Sequence, residues 1–190
     1  TDRKITYLCT PFSLKAAHEV AHLVPFFKIG SGEFQDHWFI DGLARIGKPV
    51  LFSSGMCTWE ELQANVAYLR STGLDFAVLN CLSEYPPRYE DMNLRLVEKM
   101  VTEFPGVVIG HSDHTPDVHT SIVAVALGAR IIEKHLTVSP FVPGPDKSVS
   151  ITPEVFGRMV QGLRYIRATM GSTKKVQERE EAVRTWAYRS

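Results

Sequence analysis

Six short apolar runs, spaced along the whole chain, restrict what it can fold into. They occupy residues 5–9, 26–30, 49–53, 76–81, 107–110 and 129–135. Each run is long enough for one strand, and the segments between the runs carry helical patterns. Strands that alternate with single helices favour a parallel sheet, and runs that are apolar throughout indicate burial on both faces. The sequence therefore predicts an α/β protein.

Capping residues mark where several of the intervening helices begin and end. Helix starts are predicted at Thr58 with Glu61 (a capping box), at Thr115-Pro116 and at Thr152-Pro153. Helix ends are predicted at Gly73 and Gly128. These signals fall between the apolar runs, so they support the alternation of strand and helix.

The strand ends discriminate between an open doubly wound sheet and an eight-stranded barrel. Polar or reactive side chains end or follow nearly every run: Thr10, Lys28, Ser31, Glu33, Ser53, Ser83, Tyr85, Ser112, His114, Glu133 and His135. A barrel brings such side chains to one mouth, whereas an open sheet concentrates ligand contacts at one crevice. The sequence has no GxGxxG or GxxxxGK loop to mark a crevice. A (β/α)8 TIM barrel is therefore favoured.

The length of the chain indicates an incomplete barrel. A closed barrel of this kind has eight strand-helix units and at least about 200 residues, whereas this chain has 190 residues. We therefore expect residues 1–172 to form strands 3 to 8 of a barrel whose first two units are missing. Residues 173–190 are rich in charge and have no clear apolar face, which is typical of a linker or tail.

Charge and cysteine content restrict the partners and the compartment. The formal net charge of zero gives no general attraction to nucleic acid or to an anionic membrane. No run approaches the ~20 apolar residues that span a bilayer. Cys9, Cys57 and Cys81 show no metal-binding CxxC spacing, and an odd set of this kind fits a reducing compartment. We expect a cytoplasmic protein that binds small molecules.

Two histidines and one lysine are the most informative residues. His114 and His135 follow consecutive predicted strands, so both overhang the same side of the mouth, where imidazoles can bind a metal. Hydrogen bonding to nearby backbone is an alternative explanation for each of them. Lys28 lies between apolar residues on a buried strand and must face an anion, which is either a ligand or Glu33. His111 has no assignment.

Several longer motifs, in one order, resemble the sialic acid synthase (N-acetylneuraminate synthase) family. They are KIGSGE at 28–33, SSGM at 53–56, YPPRYED at 85–91, GHSDHT at 110–115, ALGARIIEKHLT at 126–137 and PGPD at 143–146. The family includes pseudaminic and legionaminic acid synthases and spore-coat polysaccharide homologues, and the resemblance covers residues 5–175. It implies a barrel followed by a small antifreeze-protein-like domain, in a homodimer.

The resemblance also implies a reaction and a set of site residues. Family members condense phosphoenolpyruvate with an N-acylated hexosamine-type sugar, giving a nonulosonic acid and phosphate. The implied metal is a divalent cation, manganese, on His114 and His135. The implied catalytic residues are Glu33, Glu133, His114 and His135. The implied substrate-binding residues are Thr10, Lys28, Ser31, Ser53, Ser83, Tyr85, Ser112 and Asp146.

Two alternatives remain open at the level of sequence. One is a truncated fragment that binds phosphoenolpyruvate or sugar without catalysis, because family residues on the first two strands and on the C-terminal domain are absent. The other is a synthase of seven- or eight-carbon ulosonic acids, which would require basic residues for a phosphorylated acceptor. Ser83 stands where sialic acid members commonly carry Asn, so the acceptor can differ from N-acetylmannosamine.

Overall fold

A single parallel sheet forms the centre of the structure, a computed structural model that describes residues 5–172 and 177–188. Its strands are β1 (Phe27–Ile29), β2 (Val50–Ser53), β3 (Phe76–Cys81), β4 (Val108–Asp113) and β5 (Ile131–Lys134). Each strand pairs in parallel with its neighbour in chain order, β1-β2-β3-β4-β5. The predicted α/β fold with a parallel sheet is confirmed.

In the part of the chain that the structure describes, one helix precedes the first strand, four connect successive strands, and two follow the last strand. They are α1 (Leu14–Val20), α2 (His37–Ile46), α3 (Trp59–Ser71), α4 (Arg95–Glu103), α5 (His119–Ala126), α6 (Pro153–Thr169) and α7 (Glu181–Ala187). Short 3-10 helices span Ser31–Glu33, Tyr89–Asp91, Lys147–Val149 and Glu178–Glu180. None of the helices within the described residues is long and apolar enough to cross a membrane.

The order of the strands excludes a doubly wound sheet. Such a sheet reverses its strand order at a switch point, whereas here the order follows the chain without reversal. Because crossovers between parallel strands are right-handed, a sequential order carries the connecting helices to the same face of the sheet. The four helices that connect these strands then all lie on one face of the sheet, as they do on the outside of a barrel.

The alternation of side chains along the strands separates the two faces of the sheet. Phe27, Ile29, Phe52, Val78 and Ile109 belong to the main buried cluster, which also includes residues of the helices. The inner face consists, by register, of Lys28, Leu51, Ser53, Ala77, Leu79, Cys81, Val108, Gly110, Ser112, Ile131 and Glu133. It is apolar toward the amino ends of the strands and polar toward their carboxyl ends.

Most local predictions are confirmed. Thr58 and Glu61 form the expected capping box of α3, with both hydrogen bonds present. Gly73 has a positive φ of 72° just after that helix, and the Thr152 side chain caps α6. Strands occur at five of the six predicted runs.

Three local predictions are wrong. Residues 5–9 are not a strand: the Lys28 amide donates to the Cys9 carbonyl at 3.2 Å, but one such bond aligns a segment without forming a ladder. Strand β4 continues to Asp113 instead of ending at residue 110. Helix α5 begins at His119 and not at Thr115-Pro116, because Thr115 is hydrogen-bonded to Asp113 in a turn before the helix.

The predicted linker or tail at 173–190 remains a prediction. Residues 173–176 and 189–190 lie outside the described residues. The described part contains α7, and each of its residues is exposed.

Candidate functional site

Four polar side chains from four strands meet on the inner face, near the carboxyl ends of the strands. The Lys28 ammonium donates to the Ser53 hydroxyl at 2.9 Å and lies 3.5 Å from the Glu133 carboxylate. The Ser112 hydroxyl donates to the other oxygen of Glu133 at 2.6 Å. We name Lys28, Ser53, Ser112 and Glu133 the lysine cluster.

Lys28 is held in an environment that disfavours its charge. Its side chain is only 11% exposed, and burial lowers the pKa of Lys28, while the nearby Glu133 carboxylate opposes that change. The closest acidic partner is Glu133 and not Glu33, which acts on Lys28 only as a weaker, more distant charge. A buried ammonium whose pKa is lowered in spite of the nearby carboxylate is suited to accept an anionic ligand.

Small side chains form the wall of the site next to the lysine cluster. The Gly55 amide donates to the Ser31 hydroxyl at 3.0 Å, and the Cys81 sulfur lies 3.6 Å from Ser31 and 3.8 Å from Ser83. A Cβ on Gly55 would clash with the Ser83 hydroxyl. Glycine is therefore required there for the backbone to approach both hydroxyls.

The two predicted metal ligands are neighbours in space. The ring centroids of His114 and His135 are 5.2 Å apart, and Tyr85 stacks on His114 at 4.1 Å. The His114 Nδ1 donates to the Leu82 carbonyl at 2.7 Å, which leaves its Nε2 lone pair for a ligand. His135 Nδ1 lies 3.5 Å from the Asp146 carboxylate. We name Tyr85, His114, His135 and Asp146 the histidine cluster.

The histidine cluster fits a divalent cation as a partial ligand set. Burial lowers the pKa of His114, so its ring is neutral and available as a ligand at pH 7. Among the described residues, no group of three or more His, Cys, Asp or Glu side chains is arranged to hold a metal. The remaining ligands of a bound cation would therefore be water or substrate atoms.

The predicted site residues fall into adjacent clusters, with two at the margin. Ser112 on β4 precedes His114 by two residues, and Glu133 on β5 precedes His135 by two. Each of these strands thus contributes to the lysine cluster, and the residue directly after it contributes to the histidine cluster. Glu33 ends the 3-10 helix after β1 and lies within electrostatic range of Lys28. Thr10 is half-buried, and no described side-chain contact joins it to either cluster.

A buried ion pair on the opposite face of the sheet was not anticipated from the sequence. The Lys134 ammonium lies 3.1 Å from the Asp113 carboxylate, and both side chains have zero exposure. Asp113 also accepts hydrogen bonds from the Thr115 amide and from the hydroxyls of Thr115, Thr120 and Ser121. Side chains alternate between the two faces of a strand, so this rule, applied along β4 and β5, would have placed Asp113 and Lys134 on the face opposite to Ser112 and Glu133.

His111 is also buried on this side. Its Nδ1 lies 3.0 Å from the Asn80 carbonyl, and no hydrogen-bond partner of its Nε2 occurs among the described residues. Burial lowers the pKa of His111. The ring is therefore a neutral member of the packed interior and not part of the histidine cluster.

Comparison with known proteins gives one consistent result. The NeuB family matches residues 1–175. N-acetylneuraminate-9-phosphate synthase of Homo sapiens is 34% identical over 80% of this chain and 42% of its own length. N,N'-diacetyllegionaminic acid synthase of Campylobacter jejuni is 32% identical over 93% of this chain and 54% of its own length.

Solved structures agree with the sequence comparison. The N-acetylneuraminic acid (sialic acid) synthetase of Leptospira borgpetersenii superposes with a TM-score of 0.89 and 27% identity, over 99% of this chain and 66% of that one. The chain thus spans about half the length of the two relatives described above.

Proposed function

The chain belongs to the NeuB family, and from this membership we propose that it carries active-site residues of a nonulosonic acid synthase. The proposed reaction joins phosphoenolpyruvate to the aldehyde of an N-acylated hexosamine-type sugar and releases phosphate. The relatives named as N-acetylneuraminate-9-phosphate and N,N'-diacetyllegionaminic acid synthases support this class of reaction. We place the reaction in the cytoplasm, in keeping with the three free cysteines.

The lysine cluster is the observation that carries the proposal. Phosphoenolpyruvate has a phosphate and a carboxylate, and such anions require ammonium and hydroxyl donors. Lys28, Ser53 and Ser112 offer these donors from three strands on one face. Ser31 offers a further hydroxyl beside them. We propose that these side chains bind phosphoenolpyruvate, with Thr10 contributing at the margin.

We infer that the five strands are part of a (β/α)8 barrel. The sequential strand order supports this inference, and so does the superposition on the Leptospira synthetase. In the proposed full-length homodimer, further strands would cover the inner face and complete the site. Residues from those strands would act together with the residues described here.

The proposed chemistry begins with formation of a carbon-carbon bond. Carbon 3 of phosphoenolpyruvate bonds to the aldehyde carbon of the sugar, and the aldehyde oxygen takes up a proton to become a hydroxyl. Water then adds at carbon 2, and phosphate leaves with cleavage of the carbon-oxygen bond, so that a 2-keto acid remains. A divalent cation such as manganese, when bound, supplies Lewis-acid polarisation of the aldehyde.

The residues of this chain bind and orient the reactants. The imidazoles of His114 and His135 would hold the cation, while Tyr85, Ser83 and Asp146 border the space for the acceptor sugar. Lys28 and the serines contact charges that are present before and during the reaction, so they act on binding and orientation. We assign proton transfer to Glu133, which accepts a hydrogen bond from Ser112, and to Glu33.

A second candidate function is a fragment that binds phosphoenolpyruvate or sugar without catalysis. The specific observation in its favour is the length of the match, which covers 42% and 54% of the two relatives. Binding without turnover in this chain would support the fragment.

Phosphate release tests the proposed function directly. The purified chain would be incubated with manganese, phosphoenolpyruvate and N-acetylmannosamine, and then with N-acetylmannosamine 6-phosphate and diacetamido-trideoxy sugars. The His114→Ala/His135→Ala variant removes the proposed cation ligands, and His22→Ala, an exposed histidine on another part of the chain, is the matched control.

Metal-dependent release that the double variant loses, and that His22→Ala keeps, is the expected result. Release that persists in the double variant would contradict the assigned metal ligands. No release with any acceptor, together with intact binding of phosphoenolpyruvate, would favour the non-catalytic fragment. Absence of both binding and release would reject both candidates.

A further inference from the structure

The buried ion pair stands directly beside the histidine cluster in sequence. Asp113 precedes His114, and Lys134 precedes His135. Asp113 and Lys134 are also register partners, the last pair of the β4-β5 ladder. One peptide unit links each charged residue to its histidine. The ion pair therefore fixes the backbone positions of His114 and His135.

The ion pair and the histidines lie on different faces of the sheet, at the carboxyl ends of β4 and β5. Side chains alternate along a strand, and Asp113 accepts hydrogen bonds from Thr120 and Ser121 in the first turn of α5, on the helix side. His114 stacks on Tyr85 at the mouth. The pair therefore stabilises the histidines from the helix-covered face of the sheet. It does not itself contact the space for a ligand.

Lys134 extends this support to the turn that follows β4. Its ammonium donates to the Thr115 carbonyl at 2.5 Å and to the Thr115 hydroxyl at 3.1 Å. Asp113 accepts the Thr115 amide at 2.9 Å. Thr115 follows His114, so the residues on both sides of His114 are held by the same buried network.

Stability alone is a poor explanation for such a pair. Replacement of a buried ion pair by apolar or neutral residues of similar volume is often neutral or even stabilising, whereas removal of one partner is strongly destabilising. A buried pair that bridges two strand ends does, however, restrict their relative position. The strand ends restricted here are those that carry His114 and His135.

The geometry points to Asp113 and Lys134 as positioning residues that set the separation and ring orientation of His114 and His135, and so the affinity for a divalent cation. This inference rests on the proposed function in one respect, the cation on the two histidines. Changes in residues that orient metal ligands typically weaken metal binding by about 10- to 100-fold.

The test uses a double variant in which no buried charge is left unpaired. In Asp113→Asn/Lys134→Met, the amide keeps a hydrogen-bond acceptor for Thr115, and the thioether fills the volume of the lysine stem. Asp113→Asn/Lys134→Gln is a second neutral form. Arg158→Met, which removes an exposed ion pair with Glu154, is the control, and circular dichroism verifies that each variant is folded.

Manganese binding by the 190-residue chain is measured from the electron paramagnetic resonance signal of free Mn²⁺. We expect the dissociation constant to rise by about 10- to 100-fold in the folded double variants and to be unchanged in Arg158→Met. Equal affinity in the wild type and in a folded double variant would overturn the inference.

Nitrogen-15 NMR of the imidazoles provides a readout that requires no metal. In the wild type, His114 is expected as the tautomer that carries the proton on Nδ1, because this atom donates to Leu82. A mixture of tautomers in the double variants supports the inference, and unchanged ring signals overturn it. A wild type that binds no manganese would refute the metal part of the proposed function, and the NMR result would still decide the positioning role.

Discussion

At the scale of single residues, the site is organised by buried groups whose charge is incompletely compensated. Lys28 is the clearest case, because its ammonium has one carboxylate at 3.5 Å and hydroxyl or carbonyl oxygens as its other partners. The sequence identified Lys28 because a charged residue in an apolar run is conspicuous, and it identified His114 and His135 because they follow consecutive predicted strands. It could not identify Glu133 as the partner of Lys28, since that pairing joins β1 to β5 and depends on how all five strands are arranged.

Substitution of Lys28 should weaken binding of phosphoenolpyruvate. Lys28→Met keeps the volume of the side chain and removes a charged hydrogen bond, which is worth about 1.5–3 kcal/mol. We therefore expect a dissociation constant about 10- to 100-fold higher, measured by titration calorimetry. Lys48→Met, in which the lost bond is to the Val24 carbonyl, is the matched control. Equal losses in both variants would show that the effect is not specific to the site.

The free energy of unfolding should depend on pH through His111. Burial lowers the pKa of His111 in the folded state, whereas the unfolded ring has the ordinary value of about 6.5. Below pH 6.5 the unfolded chain therefore binds a proton that the folded chain resists, and stability falls as the pH falls from about 6.5 toward the lower folded pKa. Above that window the ring is neutral in both states, and this contribution is constant.

Urea denaturation at a series of pH values tests this dependence. His111→Gln should flatten the decline below pH 6.5 without abolishing it, because burial also lowers the pKa of His114. His22→Gln, at an exposed position, should leave the decline unchanged. An identical slope in the wild type and in His111→Gln would contradict the assignment of His111 as a buried neutral ring.

At the scale of elements, close packing between strands is as important as the caps of the helices. Gly110 lies on β4 between β3 and β5, and a Cβ there would clash with Leu79 and lie 2.6 Å from the Ile131 carbonyl oxygen. The Ile131 backbone cannot move away without distortion of the hydrogen bonds between β4 and β5. Glycine at this position therefore permits the close approach of three strands.

Two glycine-to-alanine variants should differ in sign. Gly110→Ala is expected to lower the free energy of unfolding by about 3 kcal/mol through overpacking. Gly157→Ala, on α6 with nothing within 4 Å of the added Cβ, is expected to raise it by about 0.5–1 kcal/mol, because alanine loses less backbone freedom in a helix. Chemical denaturation measures both. A similar change in the two variants would mean that Gly110 is not closely packed.

The elements also show where sequence reasoning succeeds and where it cannot. Apolar runs located β1 to β5 and capping residues located α3 and α6, because these signals are local. The start of α5 was misplaced, since Asp113 draws Thr115 into a turn that precedes the helix. The Asp113-Lys134 pair was not predicted, because its members are distant in sequence and are brought together only by the β4-β5 register.

At the scale of the whole molecule, the sheet leaves its inner face partly uncovered. A cavity of about 620 Å³ is lined by Leu8, Leu51, Ala77, Val108 and Ile131 among others. Val108 is 38% exposed although it lies on a central strand. Strands β1 and β5 form the two edges of the sheet, and exposed edges favour association with other chains.

The uncovered inner face should bind an apolar dye in the native state. Large exposed apolar patches mark surfaces that bind a ligand or another chain, so we expect fluorescence of 8-anilinonaphthalene-1-sulfonate to increase with this chain at neutral pH. Val108→Asp places a carboxylate within the cavity and should reduce the signal. Val183→Asp changes an exposed valine of α7, 63% exposed, and should not.

The same two variants distinguish dye binding at the inner face from dye binding to a fluctuating interior. If the dye reports a fluctuating interior, both variants should give equal fluorescence, because neither alters the packed cluster between sheet and helices. If it reports the inner face, only Val108→Asp lowers the signal, and it should also lower any self-association seen by sedimentation. That second result would mean that the apolar half of the inner face contacts other polypeptide.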